Sequence, residues 1–221
     1  MTSFKLDIAY STTDASGSFE LVVNAAWEAR VTGLFGPSGS GKTTLLEALL
    51  GVRGKTGVTG FASVGGRTLF DTGSGAWLAP GERRFGWVPQ DGALFPHLSV
   101  AGNLRLAPSG GGLPEDQIVQ LLELGPLMKR MPEKLSGGER MRAALGRALR
   151  ARHEVLLLDE PLASLDKERR QSLLALIRRL ATELPVAIVY VSHDWQEIQT
   201  LCQHALVLDG GRLQSSGPPK A

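Results

Sequence analysis

Apolar and polar residues alternate along "FKLDIAY" (4–10) and "FELVVNA" (19–25). A period of two predicts half-buried strands. The small polar residues from Asp14 to Ser18 predict a turn, making the pair an antiparallel hairpin. "RVTGLF" (30–35) reads as a short apolar strand running into a Gly-rich loop, and "TTLLEALLG" (43–51) as a helix closed by Gly51. Residues 56–71 are rich in Gly, Val and Thr and predict short strands; "FGWVPQ" (85–90) predicts another, ending at Pro89.

From about Asp91 to Arg152 the pattern turns helical, broken by "APSGGGLP", whose "SGGG" (109–112) reads as a loop. "EDQIVQLLELGPL" (115–127) has helical spacing at Ile118, Leu121, Leu122 and Leu124. The unbroken apolar run in "EVLLLDEP" (154–161) marks a strand buried on both faces. "DKERRQSLLALIRRLATEL" (166–184) is amphipathic, with Leu173, Leu176, Ile177, Leu180 and Leu184 on one stripe. "PVAIVYVSH" (185–193) is a second buried strand, and "HALVLDGGRL" (204–213) a strand and hairpin. Buried strands alternating with helices predict an α/β fold with a mainly parallel core sheet. An antiparallel β subdomain precedes it, and a helical subdomain is inserted at about 91–152, all within one domain over 1–221.

Composition narrows this little. An apolar content of 43% over 221 residues suits one globular domain. A net charge of +2, with scattered Arg, does not fit a dedicated nucleic-acid binder. The one cysteine, Cys202, excludes an intramolecular disulfide and reads as a packing residue. The first residues hold no secretory apolar region, and no run of 18 apolar residues occurs, so a cytoplasmic location follows by default. Docking to a membrane partner stays open.

The chemistry lies in two Gly-rich helix starts. Gly36-Pro37-Ser38-Gly39-Ser40-Gly41-Lys42-Thr43 fits G-x-x-x-x-G-K-[ST] between a strand and a helix. Its glycines let backbone N–H groups and the helix dipole face phosphate oxygens. Lys42 would reach the β- and γ-phosphates, the Thr43 hydroxyl would bind Mg²⁺, and Thr44 extends the loop. Such a site needs an acid at the carboxyl end of a neighbouring strand, and "VLLLDE" supplies Asp159 for the metal and Glu160 as general base.

"KLSGGERMRAALGRAL" (134–149) opens on Ser136-Gly137-Gly138-Glu139, formally a capping box. A plain cap leaves both glycines unexplained, since each costs about 1 kcal/mol against Ala. Glycine makes sense where another group presses on the first turn, and a bare helix start is an anion site. One resolution is that this helix completes a nucleotide site on another copy.

In that order, the phosphate loop, "LSGGE", "VLLLDEP", "SLD" and a His after a strand resemble the ATP-binding-cassette (ABC) ATPases, over nearly the whole chain. The resemblance implies a P-loop NTPase of ABC type that hydrolyses ATP with Mg²⁺. By position it implies that Gln90 senses metal and attacking water, that Ser136 and Gly138 touch the γ-phosphate of the opposite subunit, and that Asp159 and Glu160 are the metal-binding acid and catalytic glutamate. It makes Asp166 part of the loop crossing the dimer interface and His193 the switch histidine. It places an aromatic of the N-terminal hairpin on adenine, with Tyr10 the candidate and Phe19 its rival. "WLAPGERRFGWVPQDGALFPHLSVAGNLR" (77–105) and "LDEPLASLD" more narrowly resemble the ATPase subunits of molybdate importers. This implies a homodimer on the cytoplasmic face of the inner membrane, working with permease subunits and, through them, an extracytoplasmic substrate-binding protein, without nucleic acid. Importers of tungstate, sulfate or another small solute, and then non-transport ABC ATPases, are the alternatives. Three departures stand out. Met141 replaces a usual Gln, Pro89 a common aromatic, and the chain stops at Ala221, where molybdate ATPases often carry an oxyanion-binding domain. Feedback through such a domain is therefore not expected.

Overall fold

The computed structural model describes residues 1–14, 17–107, 111–163 and 165–220. Ala15 and Ser16 of the expected turn, Ser109 and Gly110 of "SGGG", and Ser164 of "SLD" lie outside them. The chain divides into two compact units, residues 1–85 with 189–221, and residues 86–188.

In the first unit β1 (Thr2–Asp14) pairs antiparallel with β2 (Gly17–Ala29), setting Phe4 opposite Trp27, Ile8 opposite Val23 and Tyr10 opposite Leu21. The alternation has its expected effect: Phe4, Leu6, Ile8 and Tyr10 are buried, while Lys5 and Asp7 are exposed. Phe4 stacks on Trp27 at 4.9 Å, Trp27 stacks on His204 at 5.5 Å, and Trp27 Nε1 donates to Thr32 Oγ1 at 2.8 Å.

β1 also pairs with β4 (Val58–Val64), which leads to β5 (Arg67–Asp71) and β6 (Ala76–Trp77). On the other side β11 (Arg212–Gly217) joins β2 in parallel and β10 (His204–Asp209) antiparallel. β10 lies parallel to β3 (Val31–Phe35), and β9 (Ala187–Ser192), whose residues from Val189 belong to this unit, follows β3 in the sheet. α1 (Lys42–Leu50) leaves the loop after β3 and ends at Gly51, whose φ of 79° is the left-handed cap expected.

α6 (Trp195–Leu201) is a helix the apolar pattern does not announce, because seven residues between two strands show too little periodicity. It packs on β3 so closely that a Cβ at Gly33 would lie 2.9 Å from Ile198 and 3.1 Å from Cys202 Sγ. Cys202 is the packing residue expected; burial first, and the nearby Glu197 second, push its thiol up to about 12.

In the second unit β7 (Phe85–Val88) neighbours β8 (Val155–Asp159), and Ala187 N–H donates to Glu154 O beside it. The apolar run of β8 is fully buried. α2 (Val100–Arg105), α3 (Glu115–Leu121), α4 (Gly137–Leu149) and α5 (Lys167–Glu183) complete the unit. α5 buries Leu173, Ile177 and Leu180, but Leu176 and Leu184 of the expected stripe are half-buried. α3 is shorter than its spacing suggests: Glu123 turns left-handed at φ 53°, and Gly125–Leu127 forms a separate 3₁₀ turn whose Pro126 could not continue the α-helix. Irregular loops fill much of 91–152, so that stretch is helical only in part. Among the described residues no helix is long and apolar enough to cross a membrane.

Candidate functional site

The loop between β3 and α1 is shaped by its glycines. A Cβ at Gly36 would lie 2.3 Å from Leu208 O and 2.5 Å from Ser40 Oγ. Gly39 and Gly41 take φ of +78° and +99°, and nothing stands within 4 Å of a Cβ at Gly39. Gly211 N–H donates to Ser40 O at 3.2 Å, tying the loop to the turn between β10 and β11. Pro37, Ser38 and Thr43 are exposed, and Thr44 is half-buried.

Lys42 is buried, and its Nζ donates to Gly36 O at 2.7 Å and Pro37 O at 3.0 Å. Ser40, 1% exposed, has an Oγ with no hydrogen-bond partner. A cavity of about 250 Å³ is lined by Phe19, Gly39, Gly41, Lys42, Thr43 and Thr44. The first turn of α1 carries no acidic residue. An unmatched buried hydroxyl, a buried cation donating to two loop carbonyls, and an open backbone cradle at a helix N-terminus fit a phosphate chain.

Tyr10, expected as the base-stacking aromatic, does not line this cavity. β1 runs on to Asp14, so Tyr10 lies mid-strand on the buried face; its OH accepts from Arg53 Nη1 at 2.8 Å, with that guanidinium 4.8 Å from its ring centre. Phe19 does line the cavity, with its Cζ 3.1 Å from where a Gly41 Cβ would stand. His193, also in the first unit, follows β9 with its side chain exposed.

In the second unit Asp159 ends β8 and Glu160 follows it in left-handed backbone at φ 46°. A carboxylate residue held there stores strain of about 1 kcal/mol, a feature concentrated at working sites. Gln90 is exposed just beyond β7. Ser136 caps α4 in both directions: Ser136 Oγ accepts from Glu139 N–H at 3.3 Å, and Glu139 Oε2 accepts from Ser136 N–H at 2.7 Å. The Ser136 N–H first, with the Ser136 hydroxyl and Arg130 adding to it, holds the Glu139 carboxyl below its usual range.

Gly137 opens α4, half-buried, and Gly138 has room above it: the nearest atom to a Cβ there would be Arg169 Cβ at 4.0 Å. Arg169 in turn donates its N–H to Asp166 Oδ1 at 3.0 Å, where Asp166 caps α5. A cavity of about 440 Å³ lies here, lined by Ser136, Gly138, Glu139, Arg142, Arg169 and Leu173 among others. The second unit thus gathers the α4 start and Arg169 of α5 on one concave surface.

Two residues that sequence reasoning passed over shape the loop after Gln90. Asn103 is fully buried; its Oδ1 accepts from Phe95 N–H at 2.8 Å, and its Nδ2 donates to Phe95 O at 3.1 Å, Leu98 O at 3.0 Å and Ser99 O at 3.1 Å. Arg147 donates to Ala93 O at 2.7 Å and Gly92 O at 3.2 Å, with its guanidinium 5.5 Å from the Phe95 ring centre. Phe95 on this loop stays 46% exposed, and Trp87 in β7 39%, leaving large apolar surface at both places.

The sequence profile of the ABC transporter family matches residues 23–163. The chain is 43% identical to the molybdenum import ATP-binding protein ModC of Mesorhizobium japonicum, over 99% of this chain and 59% of that one. It is 45% identical to ModC of Paramagnetospirillum magneticum (91% and 56%) and 46% identical to ModC of Brucella abortus (91% and 57%). It therefore spans less than three fifths of the length of each of these relatives. Among solved structures it superposes at a TM-score of 0.78, with 22% identity and full coverage of both chains, on an ATP-binding cassette in a dimeric post-hydrolysis state bound to ADP and Pi. A second dimeric bacterial ABC transporter cassette matches at 0.77. Both likenesses establish the fold.

Proposed function

Because this chain belongs to the ABC transporter family, we propose that it is the ATP-hydrolysing subunit of an importer and that two copies of it close around ATP. The observation that carries the proposal is the open space over Gly138. Among the described residues nothing crowds a side chain there, so the bare first turn of α4 serves a group brought by a second copy. The whole 221-residue chain then works as one cassette, with the stretch at about 91–152 bearing the signature.

When bound, Mg²⁺-ATP supplies the phosphoryl group to be cleaved and the metal charge that offsets its oxygens. Thr43, Asp159 and Gln90 would hold the metal. Lys42 would exchange the Gly36 and Pro37 carbonyls for phosphate oxygens, and Ser40 Oγ would gain the partner it lacks. Phe19 would stack on the base. Ser136 Oγ accepts from Glu139 N–H, and its one proton, which also serves the Glu139 carboxyl, would turn outward to a phosphate held by the second copy. Glu160 would take the proton of the attacking water, and His193 would donate to the γ-phosphate. Asp166 would lie at the seam between copies.

The exposed Phe95 and Trp87 fit a grip on permease subunits at the cytoplasmic face of the membrane, with a substrate-binding protein on the far side. The names of the relatives favour molybdate as cargo. Glu160→Gln should bind ATP and run as a dimer in gel filtration. A monomer at saturating ATP would refute the paired arrangement. Reconstituted uptake of molybdate, tungstate and sulfate would then identify the cargo.

A further inference from the structure

β9 ends at Ser192 and α6 begins at Trp195, leaving His193 and Asp194 alone between strand and helix. His193 is exposed, yet what lies beneath it is not: Ser192 is 4% exposed and Glu197 7%. Glu197 Oε2 accepts two hydrogen bonds, from Tyr190 OH at 2.8 Å and Ser192 Oγ at 2.7 Å. Ser192 Oγ accepts a third, from Asp194 N–H at 3.0 Å. An amide N–H can only donate and a hydroxyl carries one proton, so the order of donation is fixed. It runs from the Asp194 N–H through the Ser192 hydroxyl to the carboxylate.

The residues on either side of His193 are therefore tied, through one hydroxyl, to one buried carboxylate. Tyr190, fully buried in β9, holds the same oxygen from the strand side. Hydrogen bonds to a charged acceptor are about twice as strong as neutral ones, and a chain of them polarises cooperatively.

We propose that Glu197 is the positioning residue of His193, locking the two-residue turn so that the imidazole is presented at a fixed angle. The proposal rests on the reading of His193 as a γ-phosphate contact, and it is tested first without nucleotide. Histidine ring signals are followed by NMR in ¹³C-His-labelled protein; of the four His residues, His193 is assigned by its loss in His193→Ala. Ser192→Ala and Glu197→Gln should each shift or broaden the His193 signal while leaving that of His97 in place. Tyr190→Phe, which removes a donor to the carboxylate from the strand side, should have a smaller effect. Should Glu197→Gln not fold, Ser192→Ala decides alone.

With ATP, Ser192→Ala should lower kcat about tenfold with KM for ATP nearly unchanged, and should cost nothing further in a His193→Ala background. An unmoved His193 signal in both variants, or rate losses that add fully to that of His193→Ala, would overturn the proposal. If His193→Ala alone hydrolyses ATP at the normal rate, the γ-phosphate reading fails, and the NMR result still judges the positioning.

Discussion

Replacing Arg83 with methionine should cost about 3 kcal/mol of stability. Arg83 is 1% exposed and pairs with no carboxylate among the described residues. Its counter-charge is the C-terminal end of α1: Nη1 donates to Ala48 O at 2.7 Å and Leu49 O at 2.8 Å, and Nε to Leu78 O at 3.0 Å. The Ala48 and Leu49 carbonyls belong to the last turn of α1, at the negative end of its dipole. The guanidinium also lies 5.0 Å from the Trp77 ring centre and 5.6 Å from that of Phe70. Burial lowers its pKa to about 10, still well above neutrality, so the charge persists.

Methionine keeps the apolar stem and contact with the rings, so little packing is lost. Ala48 O keeps a second donor, Gly51 N–H at 3.2 Å. Leu49 O and Leu78 O lose the Arg83 donor, at about 1–3 kcal/mol each, and the cation–π contacts add about 1 kcal/mol. Relief from burying the charge offsets part of this, leaving about 3 kcal/mol. For a chain of this size that lowers Tm by roughly 6–12 °C. Urea unfolding at unchanged m-value is the assay. A loss below about 1 kcal/mol would show that solvent or a shifted backbone satisfies the helix end and that the reasoning is wrong. Arg83→Lys should recover less than half, because an ammonium cannot fork between carbonyls.

Three further outcomes are expected. The Glu139 carboxyl titrates below its ordinary 4.5 in the folded chain, so its contribution is whole above that pH and fades as pH falls through the lower folded value; the exchange protection factors of the Ser136 and Glu139 amides should fall there, and Glu139→Gln should flatten the response. Gly211→Ala forces a Cβ to within 1.8 Å of Glu20 O at a φ of +75°, so unfolding should be easier by at least about 3 kcal/mol, and the Ser40 carbonyl loses its anchor to that turn. Asn103→Ala strips one acceptor and three donor contacts from the loop at Phe95–Ser99, and should cost about 3 kcal/mol and collapse hydrogen-exchange protection across residues 95–99.

What could be read in advance follows from how local each signal is. α1, α4 and α5 carry their caps in the chain itself, at Gly51, Ser136 and Asp166, and β8 is an unbroken apolar run. The phosphate loop was legible because its glycines and Lys42 lie in one short stretch, Gly36 to Lys42. β1 was legible only to Tyr10. Beyond it Ser11, Thr12 and Thr13 show no apolar alternation, yet the backbone still pairs, Thr12 opposite Phe19, and this extension leaves Tyr10 in mid-strand, off the lining of the phosphate-loop cavity. Arg83, Asn103 and Glu197 were invisible for a different reason. Each is an ordinary polar residue in the sequence, and its importance comes from carbonyls or hydroxyls that folding brings to it.

The vacancy above Gly138 carries a genetic consequence. A catalytic chamber whose walls come from two polypeptides can be mended by blending defective ones. A chain crippled at Lys42 still offers a sound glycine turn, and one crippled at Gly138 still offers a sound cradle. Pairing them restores one working chamber and ruins the other, so two inert preparations should regain turnover on mixing, and co-expressed mutant alleles should complement.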